Sequence, residues 1–307
     1  MVGKFSECLL EKDVTQKHRD ACRTIFVVDD RGGKPKELGL CAWNRRKYDI
    51  GNVAIWTLGA GVVRFAADPP SSPRWTGGIL FDDDIRDGLR KRSRGGRDTA
   101  DDVSDWLLVS SAVWPLLFDT AVKTWGYDSD KEKAFDLTVD WAESMSLALF
   151  LSESTKVVVG RQRPFAKGCD GDADYAKDCG DSDEENDGFY SGHAAMAGAG
   201  AGVTCANARK HHTWGDGTAS WVVPCGLAGA AAIATGVLRI VADEHWSTDV
   251  LVGLPAGLLI GYFDVPGPAD LLRFRIKDLD GDGQKGVARI LPTAAPGAIG
   301  LRLTITP

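Results

Sequence analysis

Several patterns that would identify a function at once are missing from this chain. Seven cysteines are present, but no Cys-x-x-Cys pair occurs, so no zinc-binding pattern can be assembled. Positive charge is in deficit: 36 Lys and Arg stand against 43 Asp and Glu, a formal net charge of −7. No basic stretch spreads widely enough to track a phosphate backbone, and a nucleic-acid partner is not expected. Residues 1–40 are charged throughout and contain no apolar h-region, so no secretory leader is legible. There is no internal repeat. Apolar runs of about 20 residues, the length of a bilayer span, number only two, Gly188–Ala208 and Gly217–Leu238, and the first contains His193. Histidine itself is scarce, with five in 307 residues.

What is present is the composition of a folded protein. Hydrophobic residues make up 44% and charged residues 26%, and the length suffices for one domain with modest appendages. Residues 1–48 are mixed and polar, with a strand-like run from Thr24. Six uncharged runs follow: Ile50–Val63, Trp106–Phe118, Ser144–Ser152, Gly188–Ala208, Gly217–Leu238 and Val250–Phe263. Their Ala, Leu and Gly content and their length predict helices, hence an all-α, six-helix bundle over residues 49–265. In the C-terminal extension, 266–307, Ala288–Leu291 and Leu301–Thr306 read as short strands around a Pro-Gly turn. The mean hydropathy of −0.14 is low for six spans and favours a bundle at a membrane surface or in the periplasm.

The connectors are uneven in charge. Arg86–Arg97 holds six basic residues against one acid and reads as a solvated edge, with contact to anionic lipid heads as the alternative. The segment 170–187 holds nine acids and one base. Cys169 and Cys179 bracket a short polar stretch at its start, and Cys205 and Cys225 flank another; either pair suits a disulfide, which implies the cell envelope rather than the cytosol. Asp278, Asp280 and Asp282 open like a calcium loop, but the closing position is Arg289, so no metal site is expected there.

Three short patterns carry chemistry. Lys156 and Arg163-Pro164 lie seven apart, two helical turns, and are expected on one face of the third helix, where paired cations require an anion. Arg161 beside them reads as part of an ordinary basic C-terminal turn. Tyr190-Ser191-Gly192-His193 opens the fourth helix, where free N–H groups and a hydroxyl form an anion pocket. Arg239, His245 and Asp249 follow, the last two spaced to pair on one helix so that the carboxylate orients the imidazole.

Taken in order, Lys-x6-Arg-Pro, Ser-Gly-His and Arg-x5-His-x3-Asp resemble the three-part signature of the type 2 phosphatidic acid phosphatase superfamily. That superfamily also holds bacterial acid phosphatases and vanadium haloperoxidases. The resemblance spans roughly residues 100–264 and departs from the usual pattern at Tyr190, where Pro is common, and at Leu238, where Ser is common. It implies a helical bundle that hydrolyses phosphate monoesters without a cofactor. In these roles Lys156, Arg163 and Arg239 hold phosphoryl oxygens with Ser191 and Gly192, His245 attacks phosphorus, Asp249 orients it, and His193 protonates the leaving group. A phosphorylated lipid or small phosphate ester is the implied substrate, with a membrane surface as a further partner. Two alternatives stay open: vanadate-dependent haloperoxidation, whose known chains are much longer, and a non-catalytic lipid-phosphate-binding relative.

Overall fold

The computed structural model describes residues 22–27, 36–42, 45–67, 70–169, 175, 179, 185–263, 274–278, 287–295 and 298–306, with side chains described between residues 49 and 263. Two compact units result, Val53–Val265 and a second formed by Met1–Asn52 with Pro266–Pro307. In the second unit, β1 (Cys22–Val27), β2 (Lys36–Ala42) and β3 (Phe274–Asp278) form an antiparallel sheet in that order, with Cys22 opposite Cys41 and Leu38 opposite Asp278. The two C-terminal runs pair as β4 (Val287–Ala295) and β5 (Ala298–Thr306). The calcium-like segment 279–286 lies outside the described residues.

The helical elements are α1 (Arg45–Ala66), α2 (Asp82–Leu89), α3 (Arg94–Trp114), a π-helical continuation Pro115–Tyr127, α4 (Lys131–Val159), α5 (Gly192–Arg209), α6 (Thr218–Val241) and α7 (Ser247–Tyr262). Each of the six apolar runs falls within a helix or its immediate approach. Only α2 was not anticipated: its eight residues begin with three aspartates and contain no apolar run to betray it. Asp130 caps α4 by accepting from Lys133 N (3.0 Å), and Gly160, at φ 57, ends it in the left-handed conformation that glycine adopts freely.

That stop corrects one expectation. Arg163 does not lie two helical turns beyond Lys156 on a single face, because α4 ends at Val159 and Arg163 is extended (φ −68, ψ 153). The arginine reaches the site from a separate strand-like stretch that leads into a 3-10 turn at Pro164–Gly168.

Helix α5 is the centre of the bundle, packed against α3, α4, α6 and α7 and buried along most of its length. Its Ala and Gly residues allow backbone-to-backbone approach. A Cβ on Gly257 of α7 would stand 1.8 Å from the carbonyl oxygen of Ala195, and one on Gly261 would stand 2.0 Å from that of Ala199. Met145, Leu147 and Ala148 of α4 complete this core with Ala199, Val203 and Ile260. The Cys205–Cys225 disulfide joins α5 to α6. Among the described residues, α6 is the one helix long and apolar enough to cross a membrane.

Close approach of α5 and α7 sets the separation between the Ser191–His193 and His245–Asp249 segments, which sit at their N-terminal ends. Gly257→Ala is therefore expected to lower unfolding stability in urea by about 1–3 kcal/mol through overpacking. Gly229→Ala on α6, where an added Cβ meets nothing within 4 Å, is expected to be neutral or stabilising by up to ~1 kcal/mol. Equal behaviour of the two variants would contradict the packing account.

Candidate active site

Four chain segments converge here: the end of α4 with the stretch 160–165, residues 185–191, the turn between α6 and α7, and the first turn of α7. His245 lies in that turn, one residue before the α7 N-cap Trp246. Its backbone N–H and that of Glu244 both donate to the carbonyl of Arg239, so nucleophile and cation are tied to one peptide oxygen. Asp243 makes the turn with a left-handed backbone, φ 64, and is fixed on every side. Arg86 donates to both its carboxylate oxygens at 2.6 Å, and the Tyr175 hydroxyl donates to Oδ2 at 2.8 Å.

His245 is buried, and its Nδ1 lies 2.9 Å from the carbonyl oxygen of Gly188. A carbonyl can only accept, so Nδ1 carries the proton and Nε2 is the free, nucleophilic nitrogen. The expected helical His-Asp pair differs in detail, because α7 begins at Ser247 and His245 stands outside it. Asp249 Oδ2 is 3.7 Å from Nδ1 and accepts instead from Trp246 N (2.9 Å), reaching back as the third residue of the helix. The carbonyl fixes the tautomer, and Asp249 contributes nearby negative charge. Burial, then the charges of Arg163, Arg239, Lys156 and His193, hold the His245 pKa well below the ordinary histidine value. This favours the neutral imidazole, with Nε2 unprotonated.

Behind Asp249 stands Arg161, fully buried rather than part of a basic helix end. Its Nη1 donates to Asp249 Oδ1 and to Thr248 Oγ1 (2.8 Å), and its Nη2 to Asp82 Oδ2 (2.7 Å). The guanidinium lies 4.1 Å from the Trp75 ring centroid and 5.4 Å from that of Trp246. Asp82 also accepts from Ser247 Oγ, Thr248 N and Ile79 N. Burial pushes Asp82 up, but these donors together bring it down to about 2. Burial raises Asp249 to about 7 against the pull of Arg161.

Lys156, Arg163 and Arg239 come together although they arrive from three elements, and two carboxylates bridge the spaces between them. Asp187 lies 3.4 Å from Lys156 Nζ and 2.6 Å from Arg163 Nε. Glu244 Oε2 contacts Arg163 Nη1 and lies 3.3 Å from Arg239 Nη2. Arg239 also pairs with Asp101, and Lys156 with Glu153 at 3.1 Å. Despite burial, Arg163 and Lys156 hold the Asp187 carboxyl below its usual range. The acidic segment thus delivers its last carboxylate into the cation cluster; Asp181, Asp183 and Glu184 lie outside the described residues.

Ser191 caps α5, its Oγ accepting from Ala194 N (3.4 Å), and its own N–H donates to the Asp249 carbonyl at 3.3 Å. Gly192 is the first residue of the helix, whose opening N–H groups lack intrahelical acceptors. One position further, His193 places Nε2 2.7 Å from Asp105 Oδ1 on α3. Burial and Arg239 push its pKa down to about 4, with Asp105 opposing.

The Arg86–Arg97 connector proves structural at both ends rather than solvated. Arg86 pairs with Asp243, and the Arg97 guanidinium stacks on the Tyr175 ring at 3.7 Å. Tyr175 sits inside the loop closed by the Cys169–Cys179 disulfide, so this staple supports the His245 turn. Asp82, Asp105, Asp187, Asp243 and Glu244 were given no role from sequence, and Arg161 was read only as part of a basic helix end. Asp82 and Asp105 lie far from the three motifs, and the others stand within or beside them at spacings that mark no partner.

Arg161 holds two buried carboxylates, so removing it leaves both uncompensated. Arg161→Ala is expected to lose about 3–5 kcal/mol of unfolding stability, the usual result of breaking a buried ion pair. Asp82 adds an acid dependence. Its pKa falls from 3.8 unfolded to about 2 folded, so its contribution is complete above 3.8 and is lost as pH drops through about 2. Asp82→Asn should flatten stability over that window. An unchanged acid limb in chemical denaturation would contradict this role.

Residues 138–267 match the family model described as the PAP2 superfamily. No curated protein and no solved structure gives a significant match. The matched span contains all three motifs that meet in the site, so the likeness to that superfamily and the cation–histidine cluster fall on the same residues.

Proposed function

We propose that the protein is a phosphatase that transfers the phosphoryl group of a monoester to His245 and then to water. The observation that carries this reading is the neutral His245, its proton held on Nδ1 by Gly188, ringed by Lys156, Arg163 and Arg239. In the first step Nε2 attacks phosphorus in line, the bond to the ester oxygen breaks, and His193 gives that oxygen a proton. In the second, water attacks the phosphohistidine, His193 takes the water proton, and Nε2 departs with orthophosphate released. The three cations, the Ser191 hydroxyl and the Gly192 N–H meet the charge that develops on the equatorial oxygens. These groups supply the electrostatic stabilisation that other phosphatases draw from divalent ions, so no metal is needed.

An amphipathic substrate, a lipid phosphate above all, fits the surroundings. Beside Lys156 and Asp187 stand Val63, Ala67 and Val157, with Arg64 and Glu153 among them. Apolar residues also stand exposed on helix surfaces, among them Leu58, Phe65, Trp106 and Leu227. Membrane association in the cell envelope is consistent with these surfaces, with α6 and with the two disulfides.

His245→Ala, His193→Ala and Arg163→Ala are each expected to lower turnover at least ~100-fold while leaving the fold intact by circular dichroism. Activity should persist in EDTA; loss there with recovery on adding a divalent metal would overturn the mechanism. The pH dependence has a definite sign. A free-enzyme His193 near 4 is protonated only in acid, whereas a bound phosphate dianion raises its pKa. The alkaline limb of kcat/KM should therefore lie at lower pH than that of kcat. Coincident limbs would remove His193 from the acid role.

A further inference from the structure

The three cations enclose two spaces, and each is bridged by a carboxylate of the protein itself. Asp187 lies between Lys156 and Arg163, and Glu244 between Arg163 and Arg239. The two differ in how firmly they are held. The Asp187 side chain is 7% exposed, packed against both cations, and next to Gly188, whose carbonyl orients His245. The Glu244 side chain is 24% exposed, and its ion pairs among the described residues are with the two guanidiniums. It also sits one residue before the nucleophile, on a turn whose backbone is fixed by Arg239 and Asp243 and does not need the Glu244 carboxylate to stay in place. Arg239 Nε is buried without a hydrogen-bond partner, so the pairings present leave that guanidinium incompletely satisfied.

We propose that Glu244 is an affinity-determining residue that occupies, through Oε2, the position between Arg163 and Arg239 that a phosphoryl oxygen takes on binding. This rests on the phosphatase reading above and adds to it a defined competitor. A substrate phosphoryl group must displace the Glu244 side chain toward solvent before both guanidiniums can engage it. A guanidinium pair that already holds a carboxylate gains little from exchanging it for a small phosphate, because one charge-assisted contact replaces another. The displacement costs every ligand that brings a phosphoryl group the same free energy, so orthophosphate and short esters, whose binding comes almost wholly from that group, are left with the weakest affinity. A substrate with an apolar portion keeps useful affinity because it also binds elsewhere. Glu244 thus keeps product phosphate from accumulating in the site.

The test is Glu244→Gln, which keeps size and hydrogen bonding while removing the charge, with Asp216→Asn at an exposed site as a control for net charge. Orthophosphate binding is measured by calorimetry on all three proteins, and KM and kcat for a short soluble monoester and a long-chain alkyl monophosphate are measured in parallel. The proposal expects Glu244→Gln to tighten orthophosphate at least about tenfold, equivalent to ~1.4 kcal/mol. KM for the short and the long-chain ester should each fall by a similar factor, and Asp216→Asn should match wild type. Unchanged or weaker orthophosphate binding in Glu244→Gln overturns it, since the carboxylate would then be supporting the guanidiniums rather than competing with phosphate. A gain with one ester and none with the other also overturns it, since displacement of the same side chain costs both equally. If neither wild type nor Glu244→Gln binds orthophosphate, the phosphate-site reading itself fails, and the proposal falls with it.

Discussion

The constraint on which the site depends is the burial of several guanidinium groups within one small region. An unpaired charge in a protein interior is costly enough that it is either neutralised or absent. Each buried arginine here has a carboxylate assigned to it: Asp243 for Arg86, Asp82 and Asp249 for Arg161, Asp187 and Glu244 for Arg163, Asp101 for Arg239. Because these partners come from segments far apart in the chain, the pairing also fixes how those segments meet. Asp82 reaches the first turn of α7, and Asp243 anchors the α6–α7 turn to α2. Charge neutralisation and the positioning of His245 are the same set of contacts.

The bundle gives that network a rigid frame. Glycines on α7 let its backbone touch that of α5, so the N-termini bearing Ser191 and Asp249 are held by helix-to-helix contact and joined by the Ser191 N–H to the Asp249 carbonyl. Sites built on helix ends can be held more accurately than sites on free loops. His245 is the exception, since it sits in a turn. It compensates through two backbone bonds to Arg239, the Gly188 carbonyl, and the Tyr175 hydroxyl behind Asp243.

Much of this was legible in the sequence, and the rest was not for physical reasons. The apolar runs announced the helices because burial of one face or all faces dictates composition over many residues. Lys156, Arg163, Ser191, His193, Arg239, His245 and Asp249 were legible because they stand at short spacings within three sequence patterns. The structure brings all of them together. The local geometry assigned to two motifs was incorrect, since helical spacing was assumed across Gly160 and across Trp246, where helices end and begin. Arg161 was read as a basic helix end, and burial alone reveals it as the partner of Asp249. Helix α2 escaped notice because what it buries is Asp82 and Arg86, whose contribution is ionic.

The central claim is that His245 accepts the phosphoryl group, and rapid-quench labelling tests it most directly. Enzyme mixed with a phosphate monoester, stopped in alkali within its first turnovers and digested should yield one phosphorylated peptide, with the label on His245. That linkage should be stable to base and labile to acid, and it should be absent from His245→Ala. Turnover without any phosphorylated intermediate, or a label on another residue, would contradict the account.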